Sequence, residues 1–172
     1  MRQQLTTDTV ERFVNATPQA VYDLISDVTR TPDLSPDVVS CTWLGGATGP
    51  AVGAEFKAVN DGRSRPNWSN RPIVAVCEPG REFAFRRTEA FAGTILWRYE
   101  LIAENGGTRI RESYLAEKPV SPVGWFIIGG LYGRKDQAGD LRIGMEATLA
   151  RIAEILEPPA TPAEPATDAA AT

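Results

Sequence analysis

The residues of this sequence that could carry out acid–base chemistry are a glutamate, an arginine and a tyrosine in three strand-like stretches. They are Glu112 in "TRIRESY", Arg87 in "REFAFRR" and Tyr99 in "TILWRYEL". A buried carboxyl group holds its proton more tightly than one in water, because an apolar interior disfavours the charged form. A glutamate whose pKa is raised in this way could transfer protons near neutral pH, or could orient the polar end of a ligand.

The alternation of apolar residues predicts which side chains of these stretches face the protein interior. One face of the stretch 95–101 is almost wholly apolar or aromatic and carries Ile95, Trp97, Tyr99 and Leu101. In the stretch 108–115, one face carries two arginines, which are costly in a core. The inward face there is therefore expected to carry Thr108, Ile110, Glu112 and Tyr114. By the same reasoning, the inward face of the stretch "REFAFRR" is expected to carry Phe83, Phe85 and Arg87.

Two interpretations of these inward polar groups remain open. In the first, Glu112 forms an ion pair with Arg87, or a hydrogen bond with Tyr99 or Tyr114, that plugs the floor of the interior and has only a structural role. In the second, Glu112 and Arg87 hold the polar end of a ligand or act as acid and base. The candidate catalytic residues are accordingly Glu112, Arg87 and Tyr99.

A fourth stretch, "GAEFKAVN", bears on whether the interior contains a cavity. One of its faces carries Ala54, Phe56, Ala58 and Asn60. The two alanines either leave room for a ligand or only allow another element to approach closely. Asn60 and the nearby Trp68 are expected near the mouth of the cavity.

The sequence contains no histidine and only two cysteines, Cys41 and Cys77. This composition excludes histidine general bases, histidine-containing triads and most transition-metal sites. The cysteines lack the spacing of a zinc site and are expected to be free thiols in a reducing compartment. No metal or other cofactor is expected, and the lack of an apolar run at the N-terminus favours a cytoplasmic location.

Composition divides the chain into a nearly neutral domain and a tail. Residues 157–172 include ten alanines and prolines and no aromatic residue, which predicts a disordered tail. Residues 1–156 are expected to form one domain, in which acidic and basic residues nearly balance. The lack of a basic excess argues against a nucleic-acid partner.

The predicted order of elements is strand, helix, six strands and a long helix, an α+β arrangement. An opening strand in 4–16 precedes a helix that Thr17 caps and Pro18 begins, with one or two short helices in that region. Six strand-like runs then follow up to Pro119, separated by turn residues as in an antiparallel meander, and the stretch 67–80 is one of these runs. The last helix has an apolar stripe that must be buried, made of Leu141, Met145, Leu149, Ile152 and Leu156.

The segment 121–134, "SPVGWFIIGGLYGR", is the most apolar part of the chain. Its apolar core of ten residues, 123–132, is too short to span a membrane, so no stable membrane insertion is expected. The preferred interpretation is a mobile lid whose aromatic side chains line or close the cavity, namely Trp125, Phe126 and Tyr132. A fixed core segment and shallow docking on a membrane surface beside Arg134 and Lys135 are the alternatives.

Four stretches in this order resemble the START-like superfamily, also called SRPBCC or helix-grip, and within it the polyketide cyclase/dehydrase family of small bacterial proteins. They are "ATPQAVYDLISDVTRTPDLSP", "GPAVGAEFKAVN", "PGREFAFR" and "WRYELIAENGGTRIRESY", and the resemblance spans about residues 8–156. It implies a seven-stranded, curved antiparallel sheet wrapped around the long C-terminal helix, with an elongated cavity between them. The resemblance also implies either a carrier of hydrophobic molecules or an enzyme that acts on them. The fold by itself predicts a binding pocket and does not identify a reaction.

Three functions are therefore expected. The first is binding of a hydrophobic or aromatic small molecule, of lipid, polyketide or isoprenoid type, in a closed cavity of drug-like size. The second is a cyclase/dehydrase-like enzyme that uses Glu112, Arg87 or Tyr99 for proton transfer without metal or histidine. The third is an accessory or dimerising protein with a collapsed cavity, and a homodimer is possible. The predicted ligand-binding residues are Phe56, Asn60, Trp68, Phe85, Arg87, Trp97, Tyr99, Glu112, Tyr114, Trp125, Phe126 and Tyr132.

Overall fold

The computed structural model describes residues 5–62, 66–89, 93–126 and 136–157, without the side chains of Trp125 and Gln137. Most of the predicted tail, 158–172, lies outside the described residues. Glu157, which was predicted to begin that tail, belongs to the fold. Its Oε1 accepts a hydrogen bond of 2.8 Å from the backbone N–H of Asn15, so the end of the last helix is tied to the first strand region.

Five antiparallel strands form the larger sheet. They are β1 (Thr7–Val14), β5 (Ile73–Glu78), β6 (Glu82–Glu89), β7 (Gly93–Glu104) and β8 (Gly107–Lys118). Their order across the sheet is β1-β8-β7-β6-β5. Asn105 and Gly106 both have positive φ between β7 and β8, which is the two-residue hairpin turn that an asparagine–glycine pair favours.

Three further strands form a smaller sheet beside the first. They are β2 (Val38–Trp43), β3 (Phe56–Asn60) and β4 (Trp68–Asn70), paired in the order β2-β3-β4. The backbone N–H of Phe56 donates to the carbonyl of Pro72 at 3.1 Å, and that of Val74 donates to the carbonyl of Ala54 at 2.9 Å. These bonds connect the two sheets near Pro72.

The described residues contain eight strands where the sequence predicted seven in a single sheet. The stretch 67–80, predicted as one strand, is divided into β4 in the smaller sheet and β5 in the larger. Pro72 lies at the division, and proline has no N–H to donate to a ladder of hydrogen bonds. The chain therefore leaves one sheet at this point and enters the other.

The helices lie where the sequence places them. Thr17 caps α1 (Pro18–Ser26) by accepting a hydrogen bond from the N–H of Ala20. A turn of 3-10 helix (Val28–Arg30) and α2 (Thr31–Leu34) follow as the predicted short helices. After the last strand come α3 (Pro122–Phe126) and the long α4 (Gln137–Leu156).

The predicted apolar stripe of α4 is buried in the core between the helix and the sheets. Met145, Leu149 and Ile152 are at most 2 % exposed, whereas Ile143 on the other side of the helix is 67 % exposed. The inward faces predicted for β8 and β6 are also confirmed, since Thr108, Ile110 and Phe83 are buried. A sheet surface that packs on one long terminal helix is the arrangement that the sequence predicted.

Candidate functional site

A cavity of about 150 Å³ lies between the two sheets and α4. The larger sheet contributes to its wall Phe83, Phe85, Arg87, Trp97, Tyr99 and Glu112. The smaller sheet contributes Cys41, Phe56, Ala58, Asn60, Trp68 and Asn70. Side chains thus do not fill the space between sheet and helix, and the collapsed cavity of the third expected function is not found.

Strand alternation is the reason that the predicted residues meet in this wall. Alternate residues of β6, β7 and β3 face the same side of a strand. Eight of the predicted ligand-binding residues consequently line the cavity, namely Phe56, Asn60, Trp68, Phe85, Arg87, Trp97, Tyr99 and Glu112. Phe56 and Phe85 make an edge-to-face contact with ring centroids 5.4 Å apart, which joins the two sheets across the apolar part of the wall.

Glu112 is the deepest ionisable group of the cavity and is only 3 % exposed. The hydroxyl of Tyr99 donates a hydrogen bond of 2.8 Å to its Oε1, and its Oε2 is buried without a hydrogen-bond partner. Burial raises the pKa of Glu112 to about 8, although the hydrogen bond from Tyr99 acts in the opposite direction. At neutral pH the carboxyl group is therefore mainly protonated and can donate a hydrogen bond from Oε2.

Tyr99 is placed opposite Glu112 by the register of β7 and β8, in which the two residues are paired. Burial and the neighbouring carboxylate raise the pKa of Tyr99 well above its ordinary value. The phenol keeps its proton and stays a hydrogen-bond donor to Glu112. Of the structural roles left open by the sequence, the bond between Tyr99 and Glu112 is the one that forms.

The predicted ion pair between Arg87 and Glu112 is wrong. Arg87 instead pairs with Glu89, with 3.2 Å between Nε and Oε1, and its guanidinium lies 5.6 Å from the ring centroid of Trp68. The strand register explains the error. Tyr99 is paired with Phe83, four residues before Arg87, and four residues of a strand span about 13 Å.

Arg87 belongs to a cluster of polar side chains that lies further along the strands from Glu112. Only part of this cluster was predicted from the sequence. Glu89 Oε1 accepts a hydrogen bond from Nδ2 of Asn70 at 3.3 Å as well as pairing with Arg87. Asn60 lines the same part of the wall, as predicted. Asn70 was missed because the sequence predicts a single strand for the residues of β4 and β5. Its position two residues after Trp68 on β4 places it on the same face as Trp68.

The residues of α4 that line the cavity were also not predicted as lining residues. α4 contributes Leu141, Gly144, Met145 and Thr148. These residues are three or four positions apart, so they lie on one face of the helix. The signal was present in the apolar stripe, which the sequence analysis assigned to packing alone.

Four aromatic residues predicted in the site do not contribute to the described cavity wall. Tyr114 is buried, but its ring packs 5.7 Å from that of Trp97 within the core, so it supports the wall without lining it. Phe126 is 67 % exposed, because the short helix α3 buries Gly124 and turns Val123 and Phe126, three residues apart, toward solvent. The side chain of Trp125 and all of Tyr132 lie outside the described residues, so the lid stays a prediction.

Two negative findings apply to the part of the chain that the structure describes. Within 5–62, 66–89, 93–126 and 136–157, none of the helices is long and apolar enough to cross a membrane. The same residues contain no cluster of three or more cysteine and carboxylate side chains that could hold a metal ion.

Comparison with known proteins agrees with this fold. The model of the family "Polyketide cyclase / dehydrase and lipid transport" matches residues 6–157. The chain belongs to this family. The predicted START-like resemblance is thereby confirmed, and the family fold commonly binds hydrophobic ligands. No curated protein matches the sequence.

Several solved structures share the fold. The di-domain ARO/CYC protein StfQ of the steffimycin biosynthetic pathway has a TM-score of 0.71 and 13% identity over 88% of this chain and 50% of its own. The present chain thus spans about half the length of that protein. The Polyketide_cyc-like protein Cgl2372 from Corynebacterium glutamicum is 31% identical, with a TM-score of 0.55 over 91% and 94% of the two chains. Ara h 8.0201 has a TM-score of 0.61 and 14% identity over 87% and 96%.

Proposed function

We propose that this protein binds a small aromatic or otherwise apolar molecule in the cavity beside Glu112. The observation that carries this proposal is the carboxyl group of Glu112, which is 3 % exposed, lines the cavity and has one oxygen without a hydrogen-bond partner. A buried polar atom without a partner costs about 1–3 kcal/mol, so a ligand that satisfies it gains affinity. The apolar remainder of the wall favours an aromatic ring next to that polar contact.

The protonation state of Glu112 selects the polar group of the ligand. Its Oε1 already accepts from Tyr99, so the proton is available on Oε2. A protonated carboxyl group donates to a carbonyl or ether oxygen and is a poor neighbour for a second donor. The ligand is therefore a hydrogen-bond acceptor at this end, as an aryl ketone is.

The volume of the cavity sets the size of the ligand. A cavity of about 150 Å³ holds a single aromatic ring, whereas pockets for drug-sized ligands occupy about 300–1,000 Å³. The cavity of about 150 Å³ is thus smaller than the drug-sized chamber expected from the sequence. A single-ring ligand fits the space as it stands, and a lipid or polyketide chain requires the cavity to widen.

Calorimetric titration with two matched compounds tests this function. Para-methylacetophenone carries a carbonyl group, and para-ethyltoluene has nearly the same shape without it. Both should bind, and the ketone should bind about three- to tenfold more tightly, as expected for one net hydrogen bond. Filling the cavity with Ala58→Phe should abolish binding of both compounds, while Ala103→Phe on the exposed end of β7 should not.

Two results would refute the proposal. One is the absence of binding by either compound to the folded wild-type protein. The other is binding that survives Ala58→Phe unchanged, because the compounds would then occupy a different place on the protein.

Enzymatic proton transfer is a second candidate function, favoured by one specific observation. General acids and bases work best when their pKa lies near the pH of the reaction, and the pKa of Glu112 is about 8. In this function Glu112 exchanges a proton with the bound molecule, and Tyr99 holds the carboxyl group in place. The two functions differ in Glu112→Gln, because an amide can donate a hydrogen bond to a ketone but cannot exchange a proton in this pH range.

A further inference from the structure

Unpartnered polar atoms are concentrated around the cavity. Five buried side-chain atoms of the described residues have no hydrogen-bond partner, and three of these are Asn60 Nδ2, Asn70 Oδ1 and Glu112 Oε2. All three residues line the cavity. The other two atoms, Glu82 Oε1 and Arg98 Nε, lie 2.9 Å apart in an ion pair. Since buried polar groups in native proteins are nearly always satisfied by protein or water, these three atoms are positions at which polar groups of a ligand can replace water.

The two asparagines form one polar subsite on the smaller sheet. In the pairing of β3 with β4, Ala58 is opposite Asn70 and Asn60 is opposite Trp68. Asn60 and Asn70 are therefore diagonal neighbours on the same face of adjacent strands, about 7–8 Å apart at the backbone. One presents an amide N–H and the other an amide oxygen, so their joint complement is a group that both accepts and donates, such as a hydroxyl.

The orientation of Asn70 is held by charged and aromatic neighbours. Its Nδ2 donates to the carboxylate of Glu89, which can only accept, so the remaining Oδ1 must be the free acceptor. Glu89 is itself paired with Arg87, which stacks on Trp68. This chain of contacts fixes the amide before any ligand arrives, and such preorganisation favours binding.

The asparagine subsite and Glu112 lie at different levels of the cavity. Glu112 is paired with Tyr99, and Tyr99 is paired with Phe83, whereas the neighbours of Asn70 include Arg87 four residues further along β6. Phe85 lies between these levels on β6 and faces the same cavity. The wall is thus polar at both ends and aromatic between them.

We propose that the cavity binds a hydroxylated aryl ketone, with its carbonyl oxygen at Glu112 and its hydroxyl group at Asn60 and Asn70. This inference rests on the proposed binding function and adds the second polar end of the ligand. The hydroxyl accepts from Asn60 Nδ2 and donates to Asn70 Oδ1, while the aromatic ring lies against Phe56, Phe85 and Trp97. Every unpartnered atom of the cavity wall then has a partner.

The test compares two ketones that differ only at the far end of the ring. Para-hydroxyacetophenone has a hydroxyl group where para-methylacetophenone has a methyl group of nearly the same size. Wild-type protein should bind the hydroxyl compound about tenfold more tightly in calorimetric titrations, as expected for one or two added hydrogen bonds. A longer pair, acetylnaphthalene with and without a hydroxyl group on the far ring, extends the comparison to a greater span.

Variants that replace an amide by an apolar group of similar volume locate the effect. Asn60→Leu and Asn70→Leu should each reduce the preference for the hydroxyl compound over para-methylacetophenone to twofold or less. The exposed Asn15, which does not line the cavity, provides the matched control: Asn15→Leu should keep the full preference.

The outcomes separate this inference from the proposed function. If no ketone binds the wild-type protein, the proposed function fails and the inference fails with it. If the methyl ketones bind but neither hydroxyl compound is preferred, or if the preference survives both asparagine variants, only the inference is overturned. A preference lost in Asn60→Leu and Asn70→Leu and retained in Asn15→Leu supports it.

Discussion

At the scale of single residues, the proposed function depends on one carboxyl group, that of Glu112, whose environment changes its protonation. Glu112 lies on a strand whose alternate residues are core residues, so folding forces it out of water. The hydrogen bond from Tyr99 offsets part of this cost but not all of it, and the pKa remains raised to about 8. The same side chain that would be charged on the surface is thus a neutral hydrogen-bond donor in the cavity.

Protonation of Glu112 predicts how stability depends on pH. Because its pKa is raised from 4.5 to about 8 on folding, the folded state binds the extra proton between these values. The contribution of this proton to the free energy of unfolding is fully present below about pH 4.5. It is lost as the pH rises to about 8, and the total loss is roughly 5 kcal/mol. Glu112→Gln removes this loss, so urea unfolding should show the variant gaining on wild type by about 1.4 kcal/mol per pH unit over that interval.

The control for this prediction is a surface glutamate. Glu154 on α4 is exposed and paired with Arg151, so Glu154→Gln should follow the wild-type profile. Parallel profiles for Glu112→Gln and wild type would show that folding does not raise the pKa of Glu112, and would contradict this prediction.

At the scale of elements, period-two alternation predicted most of the cavity wall. For β6 and β7, the inward face is predicted as the more apolar of the two faces of the strand. For β8, it is predicted as the face that does not bury two arginines. The identity of the partner of Glu112 could not be predicted in the same way. Tyr99 and Arg87 lie on the same inward surface, and only the register between strands shows that Tyr99 is opposite Glu112.

Two residues, Asn70 and Phe126, were not placed correctly from the sequence. Asn70 was missed because the break at Pro72 moves the chain from one sheet to the other, and sequence periodicity does not show to which sheet a short strand belongs. Phe126 was misplaced because apolar composition alone does not determine which face of a short helix is buried. In the described part of α3, Gly124 is buried and the side chains of Val123 and Phe126 are exposed.

The packing of α4, the helix that closes the cavity, predicts how substitutions on this helix change stability. Met145 is 1 % exposed and lines the cavity, so Met145→Ala should lower the free energy of unfolding by about 2–5 kcal/mol in urea titrations. The enlarged space should also admit acetylnaphthalene more tightly relative to para-methylacetophenone than wild type does. Ile143→Ala, at a position 67 % exposed on the same helix, should change stability by no more than about 0.5 kcal/mol. Equal losses in the two variants would contradict the packing described for α4.

At the scale of the whole molecule, the cavity results from the way two sheets share one helix. The larger sheet and the smaller sheet meet through a few backbone hydrogen bonds near Pro72, and residues of α4 line the cavity together with residues of both sheets. Ion pairs such as Arg109–Glu104 and Arg111–Glu11 lie on partly exposed faces of the larger sheet, where they contribute little to stability. Apolar burial on the other side of the same strands therefore supplies the driving force, and the cavity is the part of that interior left unfilled.

In the proposed function, the acceptor atom of the ligand binds to the protonated form of Glu112. The direct measurement is the calorimetric affinity of para-methylacetophenone from about pH 6 to about pH 10, for wild type and for Glu112→Gln. The wild-type association constant should be level at low pH and fall as the pH rises through about 8, while that of the variant should stay level, because its amide donor does not titrate. A wild-type affinity that does not change with pH, or one that falls equally in both proteins, would contradict the account.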